Sequence, residues 1–173
     1  MPSSLIAIIL TSSVVAGFVS FVLNMYKEER LLRRQKLEAL YLHTSNWIRS
    51  LGGFGLNYGF AMQGKLTLNQ VYDMTIKNGH DEKNNFENMN ILVGVYFPRL
   101  QGVLDELMKC RESLVALIKI FEQRYKNGET NGSVLLPEFK EIMDCLDDIK
   151  RKLKNAIFQE ASLVNRPWEK LWH

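Results

Sequence analysis

The chain has 173 residues, of which 46% are hydrophobic and 24% are charged, and its formal net charge is +3. These values are close to those of ordinary globular domains, and they exclude a collagen-like, a wholly disordered or a polytopic membrane protein. Two cysteines cannot build a disulfide scaffold, and so small an excess of positive charge does not indicate a nucleic-acid-binding protein.

The amino-terminal segment predicts a membrane anchor. Residues 1–26 contain no charged side chain, and residues 5–23 form an apolar run that only hydroxyl side chains and one glycine interrupt. As a helix this run is about 28 Å long, close to the thickness of a bilayer's hydrocarbon core. Basic residues follow the run and none precedes it, which favours an uncleaved anchor over a signal peptide. A buried core helix, the other alternative, would rarely lack every charge.

The excess positive charge lies directly after this segment. Residues 27–36 carry five basic and two acidic side chains, which leaves 17 of each sign in residues 37–173. Basic residues beside a span are retained in the cytoplasm and attract anionic lipid headgroups. The sequence thus predicts a single-pass protein of the cell membrane, in the bacterial inner membrane, with its amino terminus outside and its carboxy-terminal domain in the cytoplasm. The predicted membrane-surface residues, here named the basic collar, are Lys27, Arg30, Arg33, Arg34 and Lys36.

Small side chains recur at helical spacing along one face of the predicted span. Such rows let two membrane helices approach closely, and they predict helix–helix contact and a homo-oligomer. Small residues are also common in membrane helices that do not associate, so both alternatives stay open. The small face consists of Ser12, Ser13, Ala16, Gly17 and Ser20.

Apolar residues at steps of three and four indicate that a first bundle helix follows the collar. Its stripe is Leu37, Leu40, Thr44, Trp47 and Leu51. We expect this helix to end at Gly52 and Gly53, because residues 50–64 contain five glycines and no charge. The segment 50–64 is then either a connection packed on the bundle or a docking loop that contacts a partner or lipid.

Three more helices are predicted. Thr67 caps a short one over about 68–78, and the last one begins between Ser133 and Pro137, since proline is tolerated in a first turn. Between them we expect one long helix over about 82–126, kinked at Pro98 but continuous. The reason is that apolar residues recur at steps of three and four on both sides of Pro98 without a slip. The long helix has the stripe Phe86, Met89, Val93, Tyr96, Leu100, Val103, Leu107, Cys110, Leu114, Leu117 and Phe121, and the last helix has Leu135, Phe139, Ile142, Leu146, Ile149, Leu153 and Ala156.

These patterns predict an all-α protein, in which an N-terminal single transmembrane helix precedes a cytoplasmic antiparallel bundle of long helices. The predicted divisions are residues 1–26 for the anchor, 27–51 for the basic juxtamembrane region and first bundle helix, and 52–173 for the remaining bundle with its aromatic tail.

The sequence shows no constellation of catalytic, cofactor-binding or metal-binding residues. Its three histidines are scattered, no zinc-binding motif occurs, and Cys110 and Cys145 are both predicted to be buried structural residues. We therefore expect no enzyme, no cofactor and no metal. The tail residues Trp168, Leu171 and Trp172 are predicted either to anchor a protein partner or the membrane interface, or to cap the open end of the bundle.

These features favour an interaction module, that is, an adaptor, sensor or tether at the cytoplasmic face of the membrane. Its expected partners are anionic headgroups and another protein, with no nucleic acid. The alternative is a self-assembling membrane effector of the toxin or defence type that uses the small face. An enzyme is the least favoured class.

Overall fold

A computed structural model describes the backbone of residues 2–78 and 80–165 and the side chains of residues 13–76 and 84–165. Within these residues the regular structure is entirely helical, without a strand, and forms a bundle. The predicted all-α bundle is therefore confirmed. Its helices are α1 (Pro2–Met62), α2 (Leu68–Asn78), α3 (His80–Tyr96), α4 (Gln101–Lys126) and α5 (Leu136–Val164), with 3₁₀ turns at Pro98–Leu100 and Ser133–Leu135.

Helices α1, α3, α4 and α5 alternate in direction. The last carbonyl oxygen of α5, that of Val164, accepts a hydrogen bond of 2.9 Å from Nε of Arg30 in the collar, and Phe139 at the start of α5 packs on Gly59. Helix α5 is thus antiparallel to α1. Contacts across the other pairs indicate that α3 is also antiparallel to α1, and that α4 is antiparallel to α5. Trp47 contacts Phe86 and Lys36 contacts Tyr96 between α1 and α3. Glu106 contacts Lys152 between α4 and α5, and Phe121 contacts Gly132 just before α5 begins.

The core follows the predicted stripes because residues three and four positions apart share one helix face. Leu37, Leu40, Thr44, Trp47 and Leu51 are all buried in α1. The buried members of α4 and α5 include Leu107, Leu114, Leu117, Phe121, Phe139, Leu146, Ile149 and Leu153. The apolar periodicity therefore identified the faces that the helices turn toward one another.

The expected end of the first helix at Gly52 and Gly53 is wrong, because α1 continues to Met62. Glycine weakens an isolated helix by about 1 kcal/mol relative to alanine, but tertiary packing overrides that preference here. The extra turns bury Tyr58 and Met62, and the Tyr58 hydroxyl donates a 2.6 Å hydrogen bond to Glu122. Residues 50–62 are therefore helical, with Tyr58 and Met62 buried while Leu56 and Phe60 stay exposed.

The expected continuous helix over 82–126 is also wrong. Phe97 leaves the helical conformation with φ −135° and ψ 55°, and α4 begins only after the 3₁₀ turn at Pro98–Leu100. A proline disfavours the α conformation of the residue before it, which accounts for the break at Phe97. The apolar phase survives the break, since Leu100 and Leu107 are buried as expected. Phe97 and Leu104 are buried as well, beside the partly buried Tyr96 and Val103.

Two predicted helix starts are confirmed. The Thr67 hydroxyl accepts a 3.3 Å hydrogen bond from the backbone N–H of Gln70, and the Gln70 side chain accepts a 2.9 Å bond from the backbone N–H of Thr67. This reciprocal pair is a capping box, and it fixes the start of α2. Helix α5 begins at Leu136 with Pro137 in its first turn, directly after the 3₁₀ turn.

The predicted membrane span belongs to the amino-terminal part of α1. The side chains of residues 1–12, which make up its first half, lie outside the described residues. Among the described residues, no helix is both long enough and apolar enough to cross a membrane.

Candidate binding groove

From residue 13 to residue 25, α1 exposes its side chains to the surroundings. Val14 and Phe18 are 70% and 68% exposed, although both are large and apolar. A helix that is apolar all round is typical of a protein interior or a bilayer. The exposed apolar side chains of this segment, here named the bare segment, are Val14, Val15, Phe18, Val19, Phe21, Val22, Leu23 and Met25.

The basic collar comes directly after the bare segment and divides into two groups. Lys27, Arg30 and Arg34 lie on the side of α1 that faces the end of α5. Lys36 instead lies against α3, where its ammonium is 5.6 Å from the centre of the Tyr96 ring, and Arg33 is exposed. The structure therefore brings three of the five predicted surface residues together on one side.

A groove runs between α1 and α5 from the collar toward the middle of the bundle. It consists of two adjoining pockets of about 400 Å³ and about 410 Å³, which share Arg34, Val164 and Asn165. We name it the α1–α5 groove. Its walls are mostly apolar, and include Leu31, Leu37, Tyr41, Leu42, Ile157, Phe158 and Ala161.

Aromatic contacts shape the groove wall away from the collar. The rings of Tyr41 and Phe158 stack across the two helices with centroids 6.3 Å apart, and the ammonium of Lys154 lies 5.6 Å from the centre of the Phe158 ring. Leu42 remains 59% exposed beside them. Such a surface suits an apolar side chain or hydrocarbon group from another molecule.

The charges at the groove are mainly positive. Arg34 Nε is 3.3 Å from Glu38 Oε1, an exposed pair that contributes little to stability. The Arg30 guanidinium is 5.8 Å from the Tyr26 ring centre, and its Nε–H bonds to Val164 at the carboxy end of α5. A cation at this position complements the helix dipole. The collar end of the groove is therefore suited to a negatively charged group.

Sequence patterns did not identify the groove. Leu42 and Phe158 lie outside the stripes that predicted the core, and the signal in the sequence was that both residues are large and apolar. Their meeting depends on the antiparallel pairing of α1 with α5, which helical periodicity alone does not specify.

The other predicted contact residues are placed as follows. Ala16, Gly17 and Ser20 lie in the exposed bare segment, and a β-carbon added at Gly17 would meet nothing within 4 Å. Helix contact through the small face stays a prediction, and Ser12 lies outside the described side chains. Trp168, Leu171 and Trp172 also lie outside the described residues.

The cysteine predictions have different outcomes. Cys110 is buried, as expected, but Cys145 is exposed, so the prediction of two buried cysteines is wrong for Cys145. The apolar neighbour Leu146 faces the core, and one position along a helix turns a side chain by about 100°. Within the described part of the chain, no three His, Cys, Asp or Glu residues are grouped to hold a metal ion.

The chain matches no protein-family model, no curated protein and no solved structure. The functional assignment therefore depends on the groove, the collar and the bare segment.

Proposed function

We propose that this protein is a single-pass membrane-anchored interaction module, an adaptor, sensor or tether whose helical bundle lies at the cytoplasmic face of the cell membrane. The observation that supports the proposal most is the continuity of α1, which carries the bare segment, the collar and one wall of the groove. Exposed large apolar side chains are unfavourable in water, and a bilayer removes that cost at about 25 cal/mol per Å².

The collar supports the proposed orientation. At about 1.5 Å per residue, Lys27 and Arg30 lie about 6 Å and about 10 Å beyond a span that ends near residue 23, close to the headgroup layer, and Lys36 lies about 20 Å beyond it. Each basic side chain near an anionic surface contributes about 1 kcal/mol of attraction. Residues 1–26 then act as the anchor, with the amino terminus outside.

The groove supports the interaction role. Its apolar walls and positive collar end complement an amphipathic segment of a partner protein that carries an acidic residue beside its apolar face. The proposed partner residues occupy the region of Leu42 and Phe158 with apolar side chains and approach Arg34 with a carboxylate.

Membrane anchoring is tested by placing charge in the bare segment. We expect Val15→Arg combined with Phe18→Arg to move the full-length protein from the carbonate-resistant membrane fraction to the soluble fraction. An arginine near the centre of a span costs about 2.5–3.5 kcal/mol. Val134→Arg is the control, because Val134 is equally exposed but lies in the 3₁₀ turn before α5. If the unmodified protein is extracted by carbonate, the anchor is refuted.

The groove is tested by a photo-reactive residue at Leu42 in living cells. We expect it to cross-link one partner protein, and we expect Arg34→Glu to lower the yield about tenfold, which corresponds to about 1.4 kcal/mol. Arg33→Glu is the matched control, since it makes the same charge change one residue away and outside the groove. An equal loss of cross-linking yield in both variants would contradict a carboxylate bound in the groove. Cross-linked products that are dimers and higher oligomers of this chain would favour the self-assembling effector.

A further inference from the structure

The two cysteines of the chain meet across the interface between α4 and α5, although 34 residues separate them in the sequence. The Cys110 thiol donates a 3.5 Å hydrogen bond to the carbonyl oxygen of Ile142, one turn before Cys145 on α5. Its sulfur also lies within hydrogen-bonding reach of the Cys145 thiol. Both cysteines are reduced in this structure.

The two thiols differ in environment in the way that a reactive pair requires. Cys145 is exposed, so a small oxidant reaches it directly, whereas Cys110 is buried beneath it. Burial, and then the neighbouring Cys145, raise the pKa of Cys110 to about 12, which keeps that thiol protonated and unreactive on its own. Cys145 is therefore the thiol that an oxidant meets first, and Cys110 is placed to react with the oxidised product.

We propose that Cys110 and Cys145 form a reversible disulfide that joins α4 to α5 when the protein meets a hydroperoxide. In cytoplasmic proteins such bonds are typically transient and redox-sensing. The redox-sensing role rests on the cytoplasmic location proposed above, whereas the pairing of the two thiols depends only on their placement on α4 and α5.

The reaction proceeds in two balanced steps. The Cys145 thiol loses its proton and the resulting thiolate attacks the terminal oxygen of the hydroperoxide, so that an S–O bond forms and the O–O bond breaks. The leaving alkoxide, or hydroxide from hydrogen peroxide, takes up the released proton and departs as an alcohol or water. The Cys110 sulfur then attacks the resulting sulfenic acid, the S–S bond forms, and the hydroxyl leaves as water with the Cys110 proton. Two electrons pass from the sulfur pair to the hydroperoxide.

The bond would fix α5 against α4 at about one third of the length of α5. Because α5 also supplies Ile157 and Phe158 to the α1–α5 groove, oxidation would restrict one groove wall. A covalent link between helices distant in sequence also restricts the unfolded chain, so the oxidised protein should melt at a higher temperature than the reduced one.

The test uses the full-length protein in detergent, treated with hydrogen peroxide. We expect the intact mass to fall by two hydrogen atoms, both sulfurs to resist alkylation after unfolding, and digestion to give one peptide pair that a reductant separates. The melting temperature should rise on oxidation and return on reduction.

The matched control is Cys145→Ser combined with Asp144→Cys, which moves the exposed thiol one position along α5 and about 100° around it. This variant should be oxidised without an internal disulfide and without a rise in melting temperature. The proposal is overturned if the unmodified protein forms only intermolecular disulfides, or only sulfinic acid at Cys145, while Cys110 stays open to alkylation after unfolding. An equal internal disulfide in the control would overturn it as well, because the placement of Cys145 would then be irrelevant.

Discussion

Replacement of Phe121 by alanine is expected to lower the free energy of unfolding by about 3–5 kcal/mol. The Phe121 side chain is fully buried, and its ring lies edge-on to Tyr125 with centroids 5.9 Å apart. Two of its ring carbons lie so close to Gly132 that a β-carbon there would approach them within 2.8 Å. Alanine would leave a cavity at a point where α1, α4 and the segment before α5 meet, and rigid helices cannot collapse to fill it.

The matched control for this cavity is Ile120→Ala. Ile120 precedes Phe121 on α4 and is also large and apolar, but it is 46% exposed. Its truncation should change the free energy of unfolding by no more than about 0.5 kcal/mol, as is usual for surface positions. The measurement is denaturant unfolding of the full-length protein in detergent, followed by circular dichroism. A similar decrease in the free energy of unfolding for Phe121→Ala and Ile120→Ala would show that Phe121 is not part of a tightly packed core.

Replacement of Gly132 by alanine is expected to cost about 1–3 kcal/mol through overpacking. The β-carbon would lie 2.7 Å from Phe121 Cε2 and 2.9 Å from Met62 Cγ, and both side chains are fully buried and cannot withdraw. The backbone N–H of Gly132 donates a 3.1 Å hydrogen bond to the carbonyl oxygen of Met62, which holds the segment in place. Its φ of −93° suits any residue, so the cost arises from space alone.

A second glycine provides a control, because its replacement by alanine should raise the free energy of unfolding rather than lower it. Gly53 lies in the interior of α1, and a β-carbon added there meets nothing within 4 Å. Because alanine is the better helix former, Gly53→Ala should raise the free energy of unfolding by up to about 1 kcal/mol. Thermal and denaturant unfolding of both variants in the same detergent checks the pair. A stabilised Gly132→Ala protein would contradict the close contact between this segment, α1 and α4.

Local patterns were sufficient to predict much of the fold. The buried faces of α1, α4 and α5 follow from steps of three and four, and the start of α2 follows from Thr67 as its cap. These features depend on neighbours in the sequence, so they can be derived without knowledge of the tertiary structure.

The errors occurred where distant residues decide the local conformation. The glycines of α1 looked like a helix end, but Gly55 and Gly59 lie against Met143 and Phe139 of α5, where added β-carbons would come within 3.0 Å and 2.7 Å of those side chains. Small residues there permit the two helices to approach closely, and this gain becomes visible only when the pairing of α1 with α5 is known. The same pairing creates the groove at Leu42, a residue that lies outside the predicted stripe of α1.

The uninterrupted course of α1 has a mechanical consequence. Because one helix carries both the bare segment and the Tyr41 and Leu42 side of the groove, the two regions move as parts of a single rod. A rotation or tilt imposed on the amino-terminal end would act on that wall, and the contacts of α1 with α5, among them Arg30 with Val164 and Gly59 with Phe139, would oppose it. A partner that fills the groove would oppose the same rotation.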